Sequence, residues 1–369
     1  MIVFFDFYEI ALNKGKSIGI YNYAYAVLKN LAKKSSKDFT IVVACSEENF
    51  SSINDINGII LKVISPNFPT LSQRLFWRFY KAIAFSKKIN ADIYYSPKGF
   101  SPGFFKRKKK PFIVVTIHDL IPFFYIENYP NYFSKFENHF ITKSLKHSLK
   151  IANNVITISD FSKKMIEKHE KSNINIHVIY NGVEIEKKLL QKTKEKKSYI
   201  FAITSMLPHK NKINLINGYI EYVKVSKSPL HLIVCGISND QLNIPKEFIK
   251  YIECIPFADQ ARFSNLFSNA TLFLFLPFIE GFGFPPLESL MYGVPTIVSD
   301  IPVLKEILGE SACFVNHESP IEIANGIITV LSDRKIVNNI LSSGRITTLK
   351  YTWENCTNNI LKIFYETLN

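Results

Sequence analysis

Short apolar segments alternate with amphipathic ones in two runs, and a lysine-rich stretch separates the runs. That restart limits the fold more than any other feature of the chain. The first run places strand candidates at residues 2–5, 40–44, 59–63, 93–95, 112–117, 154–158 and 177–179. Helical patterns at 21–34, 71–85, 132–151 and 162–169 lie between them. After Asn181-Gly182-Val183 the chain turns polar as far as Lys197, the signature of a linker. Strand candidates then resume at 199–204, 231–235, 251–255, 271–277, 296–298 and 313–315. Helices are predicted at 212–225 and 259–269, after Pro302, and from about residue 320 to the end. Strands joined by helices pair in parallel, so each run predicts a mostly parallel α/β sheet, and two runs predict two domains. The 369 residues are enough for two cores.

Composition narrows the setting. Apolar residues make up 47% and aromatic residues 14%, which is globular rather than disordered. No window approaches the roughly 18–20 apolar residues of a membrane span. The segment from Met1 to Asp6 carries a charge and no basic leader, so it reads as a core strand rather than a signal peptide. The five cysteines show no C-x-x-C spacing, which points to neither a disulfide framework nor a zinc site. A reduced, cytoplasmic setting is expected. The net charge of +14 is partly clustered: Lys106, Arg107, Lys108, Lys109 and Lys110 follow Phe104 and Phe105. Solvated loops account for such runs, and so does attraction to anionic lipid, worth about 1 kcal/mol per basic residue near the surface. The two phenylalanines would add an apolar wedge to the second reading. Nucleic acid is not expected, because no helix-turn-helix, zinc-finger or RNP-type motif accompanies the charge.

Three strand ends carry chemistry. An apolar run at 270–279 leads into Glu280-Gly281-Phe282-Gly283-Phe284-Pro285-Pro286-Leu287-Glu288. Glu280 is expected at the carboxyl end of a buried strand, with Pro285 and Pro286 in the first helical turn beyond it. Glu288 is placed in that first turn as well. The amides of Gly281, Phe282, Gly283 and Phe284 are offered to a ligand, and the helix dipole favours an anionic one. An ordinary βα turn with two solvated glutamates is the competing reading. His118-Asp119 ends the 112–117 strand, where a histidine can hydrogen-bond sugar hydroxyls in either tautomer or serve the fold alone. Lys210, at the end of the 199–204 strand, can balance a diphosphate as a point charge. The loop from Gly15 to Gly19 opens a helix and frees amides for a phosphate, although a plain turn has the same spacing.

Taken in order, these segments resemble retaining glycosyltransferases of family 4, whose GT-B fold has two Rossmann-like domains facing across a cleft. The string from Glu280 to Asp300 resembles that family's E-x7-E donor signature. Thr116 to Pro122 resembles its His-Asp-Leu-Ile-Pro element, and Ser205 to Asn211 its lysine loop. Tyr351-Thr352-Trp353-Glu354 resembles the start of its final helix, which crosses back to the first domain. The resemblance implies an acceptor-binding domain over residues 1–182 with 351–369, and a donor-binding domain over 183–350. It implies that Glu280 and His118 face the donor sugar and that Glu288 meets the nucleotide ribose. Gly19, Lys210, His209 and the 281–284 amides would hold the diphosphate and sugar, with Gly236 and Phe257 near the base.

The chain departs from the family at Lys16, Ile20, Ser205 and His209, where glycine or arginine is more usual. The diphosphate therefore has fewer fixed cations beside Lys210, unless a protonated His209 or Arg262 adds one. No D-x-D pair occurs, so neither a metal nor any other cofactor is expected. The implied activity is retaining transfer of a hexose from a nucleotide-diphosphate sugar, GDP-mannose-like before UDP-linked, to a glycan or lipid-linked glycan in surface polysaccharide synthesis. The work would be done at the inner face of the cell membrane. The alternative is a non-catalytic membrane- or polyanion-binding protein on the same scaffold.

Overall fold

The computed structural model describes residues 1–11, 18–65, 67, 69–104, 109–170, 173–184 and 198–369. The chain divides into two compact units, Met1–Gly182 with Trp353–Asn369, and Val183–Thr352.

The first unit is built on seven parallel strands: β1 (Ile2–Asp6), β2 (Thr40–Ser46), β3 (Ile59–Ser65), β4 (Ile93–Ser96), β5 (Phe112–Ile117), β6 (Asn154–Thr157) and β7 (Ile176–Val178). They lie in the order β3-β2-β1-β4-β5-β6-β7. β1, β4 and β5 are apolar almost throughout because helices cover both faces of a parallel sheet. Phe4, Trp77, Tyr94, Val115 and Leu149 share the core on one face. The terminal helix Trp353–Leu368 belongs to this unit: Phe364 packs on Tyr95 with ring centroids 5.2 Å apart, and Asn154 Nδ2 donates to Thr367 Oγ1 at 2.8 Å.

Two helical features were not expected. Ile121–Asn128 forms a helix with Pro122 in its first turn, where the missing amide costs nothing. The 71–88 helix starts at a capping box between Thr70 and Gln73, then widens into a π segment at Trp77–Lys81. Such bulges re-aim side chains, here the buried Trp77 and Arg78.

The second unit carries β8 (Tyr199–Ile203), β9 (His231–Cys235), β10 (Ile252–Ile255), β11 (Leu272–Phe275), β12 (Thr296–Ser299) and β13 (Cys313–Val315), all parallel. Their order is β10-β9-β8-β11-β12-β13. Phe201, Phe267 and Phe273 form an aromatic knot on the sheet, with centroid separations of 4.9 to 5.7 Å. In both units the strand order reverses beside the first strand, between β1 and β4 and between β8 and β11. Open α/β sheets take their ligands at the carboxyl ends of the strands flanking such a reversal. Among the described residues no helix is long and apolar enough to cross a membrane.

Candidate functional site

In the second unit the loops after β8 and β11 meet at the reversal. The first loop makes a 3-10 turn, Pro208–Lys210, and enters the next helix through Asn211 at φ 52°. The second loop runs to Gly283, at φ 98°, which precedes the helix Phe284–Met291. Backbone ties them: Phe278 N–H donates to the His209 carbonyl at 2.8 Å. Side chains tie them again, because Lys210 Nζ donates to Glu280 Oε2 at 2.7 Å, with side-chain exposures of 23% and 18%. The Lys210 ammonium also lies 5.3 Å from the Phe275 ring centroid, and Thr204 Oγ1 donates to the Lys210 carbonyl at 3.0 Å. A cation and a carboxylate are thus fixed side by side at the mouth of the sheet.

The 281–284 loop contributes backbone rather than side chains. The Phe282 ring is buried against Tyr351 and Phe284, at 5.5 and 5.3 Å. A Cβ at Gly283 would stand 2.7 Å from Leu304 Cδ2. Pro285 and Pro286 occupy the first helical turn, but Glu288 is the fifth residue of the helix and lies in the second turn, not the first. There burial pushes the Glu288 carboxyl up to about 7 from 4.5. The folded chain therefore holds a proton that the unfolded chain releases between those values, so this group's contribution to stability falls as pH rises through that window and then levels. Glu288→Gln is expected to match wild type near pH 4.5 and to exceed it by about 3 kcal/mol at pH 8. Urea titrations at the two pH values check this, and an equal difference at both would refute the shift.

His209 does not supply the missing cation. It is buried, and burial, with Lys210 beside it, lowers its pKa to about 4, so it is neutral at physiological pH. Arg262 stands exposed in the first turn of the helix Gln260–Asn269, and its charge is felt at Cys235 at the end of β9. Gly236 follows β9 at φ 102°, with its amide donating to the Ile255 carbonyl at 2.9 Å. Phe257 follows β10 and is 75% exposed.

One neighbour escaped the sequence reading. His317 lies two residues past β13, its ring edge-on to Phe278 at 5.4 Å and its carbonyl accepting from Asn211 Nδ2 at 2.8 Å. Its Nδ1 is buried without a hydrogen bond. The available signal was its place just beyond a strand.

In the first unit His118 follows β5. Its Nε2 stands 2.7 Å from the Pro97 carbonyl, an acceptor, which assigns the proton to Nε2 and leaves the Nδ1 lone pair open. Burial lowers its pKa to about 4. Tyr23 packs edge-on against the ring at 4.6 Å, and the Tyr23, Tyr95 and Thr116 hydroxyls close a triangle with sides of 2.8 to 3.1 Å. Asp119 turns the loop by accepting from Ile121 N–H at 3.0 Å.

Gly19 is exposed in the first turn of the helix Ile18–Ala32, while Gly15, Lys16 and Ser17 lie outside the described residues. So do Phe105, Lys106, Arg107 and Lys108. Phe104 is 47% exposed and stacks on Phe79 at 5.2 Å; Lys109 and Lys110 are exposed, and Lys110 pairs with Asp92 at 2.6 Å. Among the described residues no group of three or more His, Cys, Asp or Glu is placed to hold a metal ion.

Two family models match in tandem: glycosyltransferase family 4 over residues 19–187, and glycosyl transferases group 1 over residues 184–346. The chain belongs to these glycosyltransferases. His118 and Gly19 fall in the family 4 portion; Lys210, Glu280 and Glu288 fall in the group 1 portion. An O-antigen chain mannosyltransferase, RfbU of Salmonella typhimurium, is 33% identical over 211 residues, which are 55% of this chain and 56% of that protein. The match thus spans about half the length of that relative. O-antigen chain mannosyltransferase B of Escherichia coli is 24% identical over 74% of each chain.

Among solved structures, Anabaena Alr3699/HepE in complex with UDP and glucose superposes with a TM-score of 0.71 at 16% identity, over 99% of this chain and 100% of that one. WaaG, a glycosyltransferase involved in lipopolysaccharide biosynthesis, gives 0.69 at 13% identity, over 98% and 99%. The likeness assigns the fold: two Rossmann-like parallel-sheet units of the GT-B class.

Proposed function

We propose that this family member transfers a hexose from a nucleotide-diphosphate sugar to a hydroxyl of a glycan or lipid-linked glycan, with retention of anomeric configuration. The Lys210–Glu280 pair at the strand-order reversal carries the reading. The donor diphosphate competes with Glu280 for Lys210, and as the ammonium turns to the phosphates the carboxylate is released toward the sugar. The anomeric carbon–oxygen bond then breaks, with its electron pair passing to the diphosphate. The acceptor oxygen bonds to the same carbon from the leaving-group face, and its proton passes to the departing phosphate. Glu280 stabilises the positive charge that develops on the sugar, while the amides at 281–284 and Lys210 stabilise the leaving group. Arg262 supplements them, so no metal is required. The Glu288 carboxylate accepts from the ribose hydroxyls, and His118 accepts a sugar hydroxyl at Nδ1.

The mannosyltransferase names of the relatives favour a GDP-mannose-like donor and an O-antigen setting, while the UDP complex of a neighbour keeps UDP-sugars next. A peripheral place at the inner membrane face fits the basic, aromatic 104–110 segment. Thermal-shift measurements against GDP, UDP, ADP and their sugars test the reading. A shift with one nucleotide in wild type, lost in Glu288→Ala, is the expected result. No shift with any of them would favour a non-catalytic binder of polyanions or membranes.

A further inference from the structure

The first unit holds a buried cation that makes no ion pair among the described residues, although the charge of Glu9 is felt there. Arg78 lies in the π segment of the 71–88 helix and is only 8% exposed. Its guanidinium carbon is 4.2 Å from the Phe100 ring centroid and 5.4 Å from that of Phe79. Its Nε makes no hydrogen bond, and no carboxylate of the described residues is within ion-pair range. The nearby acids are already engaged. Glu9 pairs with Lys98, and Asp6 accepts from Trp77 Nε1, the Tyr94 hydroxyl and Tyr8 N–H. A buried charge left unpaired is costly, and two aromatic faces recover only part of that cost.

A path of rings leads outward from this cation. Phe79 stacks on Phe104 at 5.2 Å, Phe104 meets Tyr80 at 5.4 Å, and Tyr80 meets Phe76 at 5.5 Å. Phe76, Tyr80 and Phe104 are 51%, 59% and 47% exposed, a contiguous apolar ridge with the Lys81 ammonium over Phe76. Cation at the inner end, apolar ridge beyond it and a lysine at its edge match one kind of occupant in charge and polarity.

We propose that Arg78 receives the phosphate or diphosphate ester of a lipid whose hydrocarbon chain lies along Phe76, Tyr80 and Phe104. Within the transferase reading, on which only its role depends, this ester is the part of the acceptor that carries the growing glycan. The guanidinium fork suits such an oxyanion in two-point contact.

Calorimetry with three probes separates the parts: inorganic pyrophosphate, farnesol and farnesyl diphosphate. Each titration uses the full chain carrying Lys210→Ala, so that the other crevice does not report. Farnesyl diphosphate is expected to bind at least about tenfold more tightly than pyrophosphate. Arg78→Gln should weaken both diphosphates about tenfold or more and leave farnesol unchanged. Phe76→Ser with Tyr80→Ser should weaken farnesyl diphosphate and farnesol and leave pyrophosphate unchanged. If Arg78→Gln fails to fold, Arg78→Lys keeps the point charge but loses the fork, and a several-fold weakening of both diphosphates is the expected sign.

Unchanged binding of all three probes to a folded Arg78 variant overturns the site. So does a ridge that binds no farnesol and instead buries itself in a dimer by sedimentation. Nucleotide-dependent thermal shift, measured with Lys210 intact, should be the same in wild type and Arg78→Gln. Its absence from both, with the Arg78-dependent binding preserved, would remove the transferase reading and leave this site standing.

Discussion

Lys210→Ala and Glu280→Gln should each lower hexose transfer by about a hundredfold or more, and for different reasons. Electrostatic groups held at a reacting centre contribute on this scale because they act without reorganising when charge develops. Lys210 and Glu280 neutralise one another at 2.7 Å until a donor arrives. Removing the lysine takes away the cation that draws in the diphosphate, so nucleotide affinity falls together with turnover. Replacing Glu280 by glutamine keeps shape and hydrogen bonding but frees Lys210, so nucleotide affinity should hold or rise while turnover collapses. The double variant should cost little more than the worse single one, since the two side chains act as a unit. Single-turnover assays with donor in excess, alongside nucleotide calorimetry, separate the cases. Equal losses of affinity in both variants would mean that the pair is a structural brace and not a switch driven by the diphosphate.

The alternation of buried strands was legible because a strand covered on both faces must be apolar along its length. The thirteen strands of the two sheets stand within two residues of the positions read from that pattern. The same pattern placed Glu280 and Lys210 beyond strand ends, but nothing local said that the two loops would be neighbours. That follows from the strand order, which puts β8 beside β11 across sixty-eight residues of chain (272 − 204).

Burial of polar groups was the other blind spot. His209 follows a proline at a strand end and looked available for protonation. It is buried, in a turn whose His209 carbonyl accepts from the Phe278 amide. Arg78 sits within an amphipathic pattern that treats every arginine as a surface residue. The π segment turns it into the unit, and one extra residue per turn leaves no compositional trace. The helix at 121–128 was hidden by Pro122, which reads as a breaker unless it is known to fall in the first turn.

Gly236→Ala is expected to cost on the order of 4 kcal/mol and, with it, nucleotide binding. Two penalties combine there. At φ 102° an L side chain is strained, and a Cβ would stand 2.1 Å from the Thr204 carbonyl oxygen, which is backbone and cannot swing aside. Gly293→Ala isolates the first penalty: its φ is 70° and nothing lies within 4 Å of the added carbon, so about 1 kcal/mol is expected. The difference between the two variants measures the collision together with the extra backbone strain at φ 102° over φ 70°. It also reaches the site, because Thr204 Oγ1 holds the Lys210 carbonyl at 3.0 Å and the Thr204 amide is bonded to the Cys235 carbonyl at 3.1 Å. A displaced Thr204 therefore carries Lys210 away from Glu280. Urea denaturation gives the stability difference, and nucleotide calorimetry on the folded fraction of each variant gives the functional one. Equal destabilisation by the two alanines would show that Thr204 yields freely. Full nucleotide affinity in Gly236→Ala would show that the lysine's position does not depend on this crossing of β8 and β9.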